Sequence, residues 1–138
     1  MTSASTIVVA CAVGILSYAM STPPPATAHV EPTQTPTGGV VATCPYLPPD
    51  LEKVPECMGL PATCVGTPGD DVLWGSEDDE VIVAGEGDDV VHADEGDDVV
   101  CLGSGNDSAH GGRGRDQLFG GAGSDWLFGA RGEDALYG

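Results

Sequence analysis

The chain has 138 residues, enough for one modest domain, and a formal net charge of −18. That charge excludes a nucleic-acid binder working through a basic patch, disfavours docking on anionic lipid, and suits a protein that collects cations. Aromatic residues make up only 5% and Gly occurs 21 times, so an ordinary core of large side chains is not expected.

Residues 7–19, IVVACAVGILSYA, form an apolar run of thirteen. This is short for a membrane span but has the length of a signal-peptide core. Ala26, Thr27 and Ala28 offer a small-x-small cleavage site before His29. Residues 1–28 are therefore expected to be a cleaved secretory signal, although residues 1–6 contain no Lys or Arg. An uncleaved anchor or a buried helix are the competing readings. On the favoured one, the mature chain is secreted and has no stable membrane insertion. Residues 29–43 are rich in Thr, Pro and Gly and nearly uncharged, which predicts a flexible linker.

Residues 44–65, CPYLPPDLEKVPECMGLPATCV, are rich in Cys and Pro. They hold Cys44, Cys57 and Cys64, and Cys101 follows downstream. With Cys11 removed in the signal, four cysteines remain, which in a secreted chain favours two disulfides. Three pairings are open. A zinc site and free buried thiols are the alternatives, and no CxxC pair supports zinc. If Cys101 pairs with any of the other three, residues 44–65 become a cap on the array that follows. Solenoids need such end caps.

Residues 66–137 divide into eight rows of nine with no residue inserted or lost. The rows are GTPGDDVLW, GSEDDEVIV, AGEGDDVVH, ADEGDDVVC, LGSGNDSAH, GGRGRDQLF, GGAGSDWLF and GARGEDALY, and Gly138 would open another. Column four is Gly in all rows but one, where Asp78 stands, which indicates positive φ or close approach of another chain segment. Column six is a carboxylate in every row: Asp71, Glu80, Asp89, Asp98, Asp107, Asp116, Asp125 and Asp134. Column eight is apolar in every row: Leu73, Ile82, Val91, Val100, Ala109, Leu118, Leu127 and Leu136.

These columns predict a coil made of two rows, each a three-residue strand over columns seven to nine and a Gly-rich turn over columns one to six. Eight rows give about four coils, with rows of equal parity stacked at the ~4.8 Å strand spacing. The core is then one column-eight side chain per row, which is thin. Stacked turns place the column-six carboxylates in two files of like charge. Calcium between successive turns relieves that repulsion, because it takes six to eight oxygen ligands from carboxylates and carbonyls. Magnesium demands tight octahedral geometry and keeps its waters, so it fits less well. Two files of four turns leave up to six such gaps.

The pattern G-G-x-G-x-D-x-U-x, with U apolar, resembles the RTX, or haemolysin-type, calcium-binding repeat. Rows six and seven, GGRGRDQLF and GGAGSDWLF, fit it at every column. The resemblance implies an all-β fold: a right-handed parallel β-roll whose column-six carboxylates and turn backbone hold Ca2+. The carboxylates are those named above, with Glu80 the weakest. The turn backbone is that of Gly66, Gly69, Gly87, Gly96, Gly105, Gly111, Gly112, Gly114, Gly120, Gly121, Gly123, Gly129 and Gly132. It also implies disorder without calcium. Row two departs at Asp78 and Glu80, and column one holds Ala84, Ala93 and Leu102 in rows three to five. The chain stops directly after row eight, so export through the N-terminal signal is the consistent expectation.

Column nine stacks Trp74, His92, His110 and Phe128 in rows of one parity, which predicts a side-chain ladder on a sheet surface. A transition-metal site at His92 and His110 is the alternative. No nucleophile with its base is visible, and the paired carboxylates repeat with the turns as ligands would, so no enzyme is expected. The favoured function is a secreted calcium-binding protein folded by calcium. The alternatives are an adhesion or protein-interaction module stiffened by calcium, and a non-catalytic remnant of a larger secreted enzyme. An open C-terminal coil invites self-association or a protein partner.

Overall fold

The computed structural model describes residues 7–10, 15–18, 32–49 and 51–138. Among these residues every regular element is a strand: β1 (Ile7–Ala10), β2 (Ile15–Tyr18), β3 (Thr33–Gln34), β4 (Val40–Thr43), β5 (Glu56–Cys57), β6 (Leu60–Pro61), β7 (Cys64–Val65) and β8 (Val72–Trp74). These are followed by β9 (Val81–Glu86), β10 (Val90–Glu95), β11 (Val99–Ser104), β12 (Ser108–Arg113), β13 (Gln117–Ala122), β14 (Trp126–Arg131) and β15 (Ala135–Tyr137). β1 and β2 pair with each other as an antiparallel ribbon. The expected cleavage site at residues 26–28 lies outside the described residues.

The nine-residue period becomes two facing parallel sheets. The first has the order β14-β12-β10-β8-β4-β3 and the second β15-β13-β11-β9-β7. Within the array, neighbours in a sheet are one coil apart, so Val91 lies beside Leu73 and Ala109, and Val100 beside Ile82 and Leu118. The chain is thus a parallel β-solenoid of about four turns, as the repeat predicts.

The strands are longer than the sequence predicts, and the core is wider. β9 to β14 each run six residues, from column seven of one row through column three of the next. The cause is strand alternation. Column eight points inward, column nine outward, and column one inward again. Ala84, Ala93 and Leu102 are therefore core residues at 1% exposure or less, packed with Leu73, Ile82, Val91, Val100 and Leu118. The column-eight expectation fails only in the last coil, where Leu127 is partly buried and Leu136 is exposed.

The flexible linker expected over residues 29–43 is corrected in its second part. β4 pairs in parallel with β8 and puts Val40 and Ala42 into the core, while β3 closes the same sheet as an antiparallel edge. Thr35 and Val40 also hydrogen-bond the first turn, through the Asp70 carbonyl and the Asp71 carboxylate. The apolar run Gly-Val-Val-Ala is too short to persist as a strand alone, and it takes its conformation from the row-one strand beside it.

Residues 44–65 carry two disulfide partners for each other and one for the array. Cys44 bonds Cys64, and Cys57 bonds Cys101 on β11. β7 opens the second sheet beside β9, so the Cys/Pro-rich segment enters the solenoid. Cys57 and Cys64 are fully buried.

Candidate metal centre

From row three onward the turns between strands carry columns four to six, and their backbone sets what the carboxylates face. From row three onward column four has φ between 119° and 145° at Gly87, Gly96, Gly105, Gly114, Gly123 and Gly132. Only Gly takes this conformation without strain. At Gly123 a Cβ would also lie 1.6 Å from the Gly105 carbonyl oxygen one coil away. Gly111, Gly120 and Gly129 have a different reason: a Cβ there would meet the Oδ2 of Asp116, Asp125 or Asp134 at 2.3–2.5 Å. In rows six to eight column one is thus kept bare so that the carboxylate of the same row fits, whereas rows three to five turn Ala84, Ala93 and Leu102 into the core there.

The column-six carboxylates form a ladder through the backbone. Each donor is the column-six N–H of one coil and each acceptor is the Oδ1 one coil later. Asp71 N–H donates to Asp89, Glu80 to Asp98 and Asp89 to Asp107, all at 2.8 Å. Asp98 donates to Asp116, Asp107 to Asp125 and Asp116 to Asp134, all at 3.1 Å. One oxygen of each carboxylate is thereby fixed. The other Oδ2 is buried and without a hydrogen-bond partner in Asp89, Asp98, Asp107 and Asp116. These residues are at most 2% exposed.

An unpartnered carboxylate oxygen in the interior is costly when charged. Burial pushes the Asp89 and Asp98 carboxyls up from 3.8 to about 7. The backbone N–H of the coil before pulls each down, and neighbouring carboxylates push up again, from Asp71 and Asp107 on Asp89 and from Glu80 and Asp116 on Asp98. Asp107 and Asp116 are raised as well, burial being the larger cause. A bound cation would remove this penalty.

The first coil is built differently. Asp71 accepts from the N–H and Oγ1 of Thr67 and from the N–H of Val40. Glu80 accepts from the N–H and Oγ of Ser76. Both carboxylates are buried and satisfied by the protein itself. Asp125 and Asp134, in the last coil, are partly exposed.

Column five adds a second ladder that the sequence reading missed. Here the side chain of one coil accepts from the N–H of the next: Asp70 from Asp88, Asp88 from Asn106 and Asn106 from Ser124 on one side, Asp79 from Asp97 and Asp97 from Arg115 on the other. The column mixes Asp, Asn, Ser, Arg and Glu, so only the shared acceptor role at five of its rows signals it. Arg115 also ion-pairs with Asp97 at 2.7 Å, and Arg113 pairs with Glu95, each across one coil and well exposed. Such pairs contribute under about 1 kcal/mol each.

The outer ladder is present as expected. Trp74 stacks on His92 with centroids 4.2 Å apart, His92 lies 6.1 Å from His110, and His110 lies 5.1 Å from Phe128. Burial, then His110, holds the His92 imidazole below its usual range. Among the described residues no three His, Cys, Asp or Glu side chains converge on a point that would hold a metal. A cation at the turns would draw on backbone carbonyls besides a carboxylate, a donor set that suits a hard, oxygen-seeking ion.

The fold and turns define a class: a parallel β-solenoid with two files of Gly-rich turns, each turn carrying an inward carboxylate. The model of the RTX calcium-binding nonapeptide repeat matches over residues 65–86, 74–109 and 102–136, with four copies. The chain belongs to this family. No curated protein and no solved structure matches it.

Proposed function

We propose that the chain is a secreted, non-catalytic calcium-binding protein whose solenoid completes its fold when calcium enters the turns. The four unpartnered Oδ2 atoms of Asp89, Asp98, Asp107 and Asp116 carry this reading. They are oriented by the N–H ladder, lie beside turn backbone, and lack any protein donor. Calcium, when bound, supplies positive charge that accepts carboxylate and carbonyl oxygens in flexible number. The residues' own part is to hold those oxygens in register from coil to coil. Two disulfides and the apolar run of residues 7–19 support export to an oxidising compartment.

The energetics fit an extracellular trigger. With free calcium near 1 mM and a Kd near 0.1 mM, each site adds about 1.4 kcal/mol of stability, and four sites about 6. In a cytosol poor in calcium this contribution disappears. The test is far-ultraviolet circular dichroism of the mature chain in EGTA and in 1 mM calcium, beside a direct calcium titration. Calcium is expected to raise the β signal, and an identical spectrum in both would sink the coupling of folding to calcium.

A second reading, an interaction module stiffened by calcium, is favoured by the last coil. Trp126, Phe128, Leu136 and Tyr137 are 45–79% exposed on β14 and β15. Sedimentation in calcium separates the two. Self-association supports this second role, and a strict monomer argues against it.

A further inference from the structure

We infer that the first coil needs no calcium, because Thr67 and Ser76 hold its carboxylates in place of the ion, and that the buried calcium sites begin at row three. This rests on the calcium reading above and sharpens it to particular rows. The two classes of turn differ in three independent ways.

The first is the hydrogen bonding of the carboxylate. Asp71 and Glu80 each accept from a column-two N–H and a column-two hydroxyl of their own turn. Rows three to eight have Gly, Asp or Ala in column two and lack that hydroxyl. In rows three to six the second carboxylate oxygen is left buried and unpartnered.

The second is the backbone. Column-two residues of rows three to eight all have positive φ, from 77° at Ala130 to 126° at Gly85, and Thr67 and Ser76 do not. The same holds at column four, where Gly69 and Asp78 stand outside the left-handed set. The Asp at column four of row two, a departure from the repeat, is thus accommodated without strain. Its turn is closed by Ser76 and has no need of the Gly conformation.

The third is tethering. The first coil is already held at its flanks by β4, by β7 and by the Cys44–Cys64 bond. It is a preformed end on which later coils stack. Later coils share the apolar core, but rows three to six also carry the unpartnered carboxylate oxygens, whose charge an ion between coils would offset. Calcium binding is therefore polar along the solenoid, with the metal-independent coil as its base.

Two measurements on the full mature chain test this. In a calcium titration, Asp71→Ala is expected to leave the number of bound ions unchanged, while Asp98→Ala and Asp107→Ala each lower it by one. Hydrogen exchange of the unmutated chain removes any dependence on variant folding. In EGTA, the amides of β4 and β8 are expected to stay protected while those of β11 to β14 exchange, and calcium restores protection to the latter. Loss of an ion from Asp71→Ala equal to that from Asp107→Ala would overturn the inference and leave the calcium reading intact. So would loss of protection in EGTA that is uniform across all coils. A chain that binds no calcium overturns the reading beneath and this inference with it.

Discussion

At the scale of the residue, one carboxylate per row carries both the cohesion and the cost of the turn. Burial holds the Asp89 and Asp98 carboxyls at about 7 in the folded chain, against 3.8 for an ordinary Asp. Between those values the folded chain binds more protons than the unfolded chain, so stability falls as the pH rises. The β signal in EGTA is therefore expected to be larger near pH 4.5 than near pH 7.5, and in saturating calcium the order is expected to reverse because the ion needs ionised carboxylates. A calcium-free signal that grows with pH would contradict the burial cause. The column-two and column-four glycines from row three onward respond to backbone and not to charge. Ala130 stands at φ 77° in column two, where four of the six rows with positive φ carry Gly. Ala130→Gly is expected to stabilise the calcium-bound chain by about 1 kcal/mol in a urea melt. Gly123→Ala is expected to destabilise it by more than about 2 kcal/mol, since a Cβ there meets the Gly105 carbonyl as well as the forbidden φ.

At the scale of the element, the six-residue strand explains which residues the sequence disclosed. Columns six and eight were legible because every row repeats the same chemistry there, and Asp116 and Leu118 need no neighbour to be recognised. Column one was not. Ala84, Ala93 and Leu102 look like failures of a Gly position, and only alternation across the row boundary turns them inward. Thr67 and Ser76 were hidden for the related reason that a column-two hydroxyl matters only once its turn is closed. β4 and β7 lie outside the period and borrow their conformation from β8 and β9, so no local pattern announces them. The wider core has a measurable consequence. Leu102 is fully buried among Ile82, Val100 and Leu118. Leu102→Ala is expected to cost about 2–5 kcal/mol in calcium, as much as the column-eight change Leu118→Ala, in parallel urea melts. A cost for Leu102→Ala below about 1 kcal/mol would restore the narrower, column-eight core.

At the scale of the whole molecule, three kinds of cohesion act on different parts of one solenoid. The apolar core runs its length but thins toward the last coil, where Leu136 is exposed. The unpartnered carboxylates occupy the middle coils. The disulfides act at the start, where Cys57–Cys101 spans a sequence separation of 44 and fastens residues 44–65 to the third coil-forming strand of the second sheet, β11. On the proposed reading that bond joins the first coil, held by its own side chains, to a coil that calcium completes, so the two contributions would meet at β11. Closing a loop of this length removes about 4 kcal/mol of unfolded-state entropy in the chain-entropy treatment. The double change Cys57→Ser with Cys101→Ser is therefore expected to lower stability by roughly that amount in saturating calcium. It is also expected to shift the calcium-driven folding transition to higher calcium, since the base no longer fixes the register of the coil above it. The Cys44–Cys64 bond lies within the base itself, so replacing it by Ser is expected to loosen β4 and β7 in EGTA while moving the calcium midpoint less. The comparison is made by following the circular dichroism transition against free calcium for each pair of substitutions. Equal shifts from both pairs would mean that the base and the calcium-held coils are not separate units, and the staple at β11 would then have no special place in the molecule.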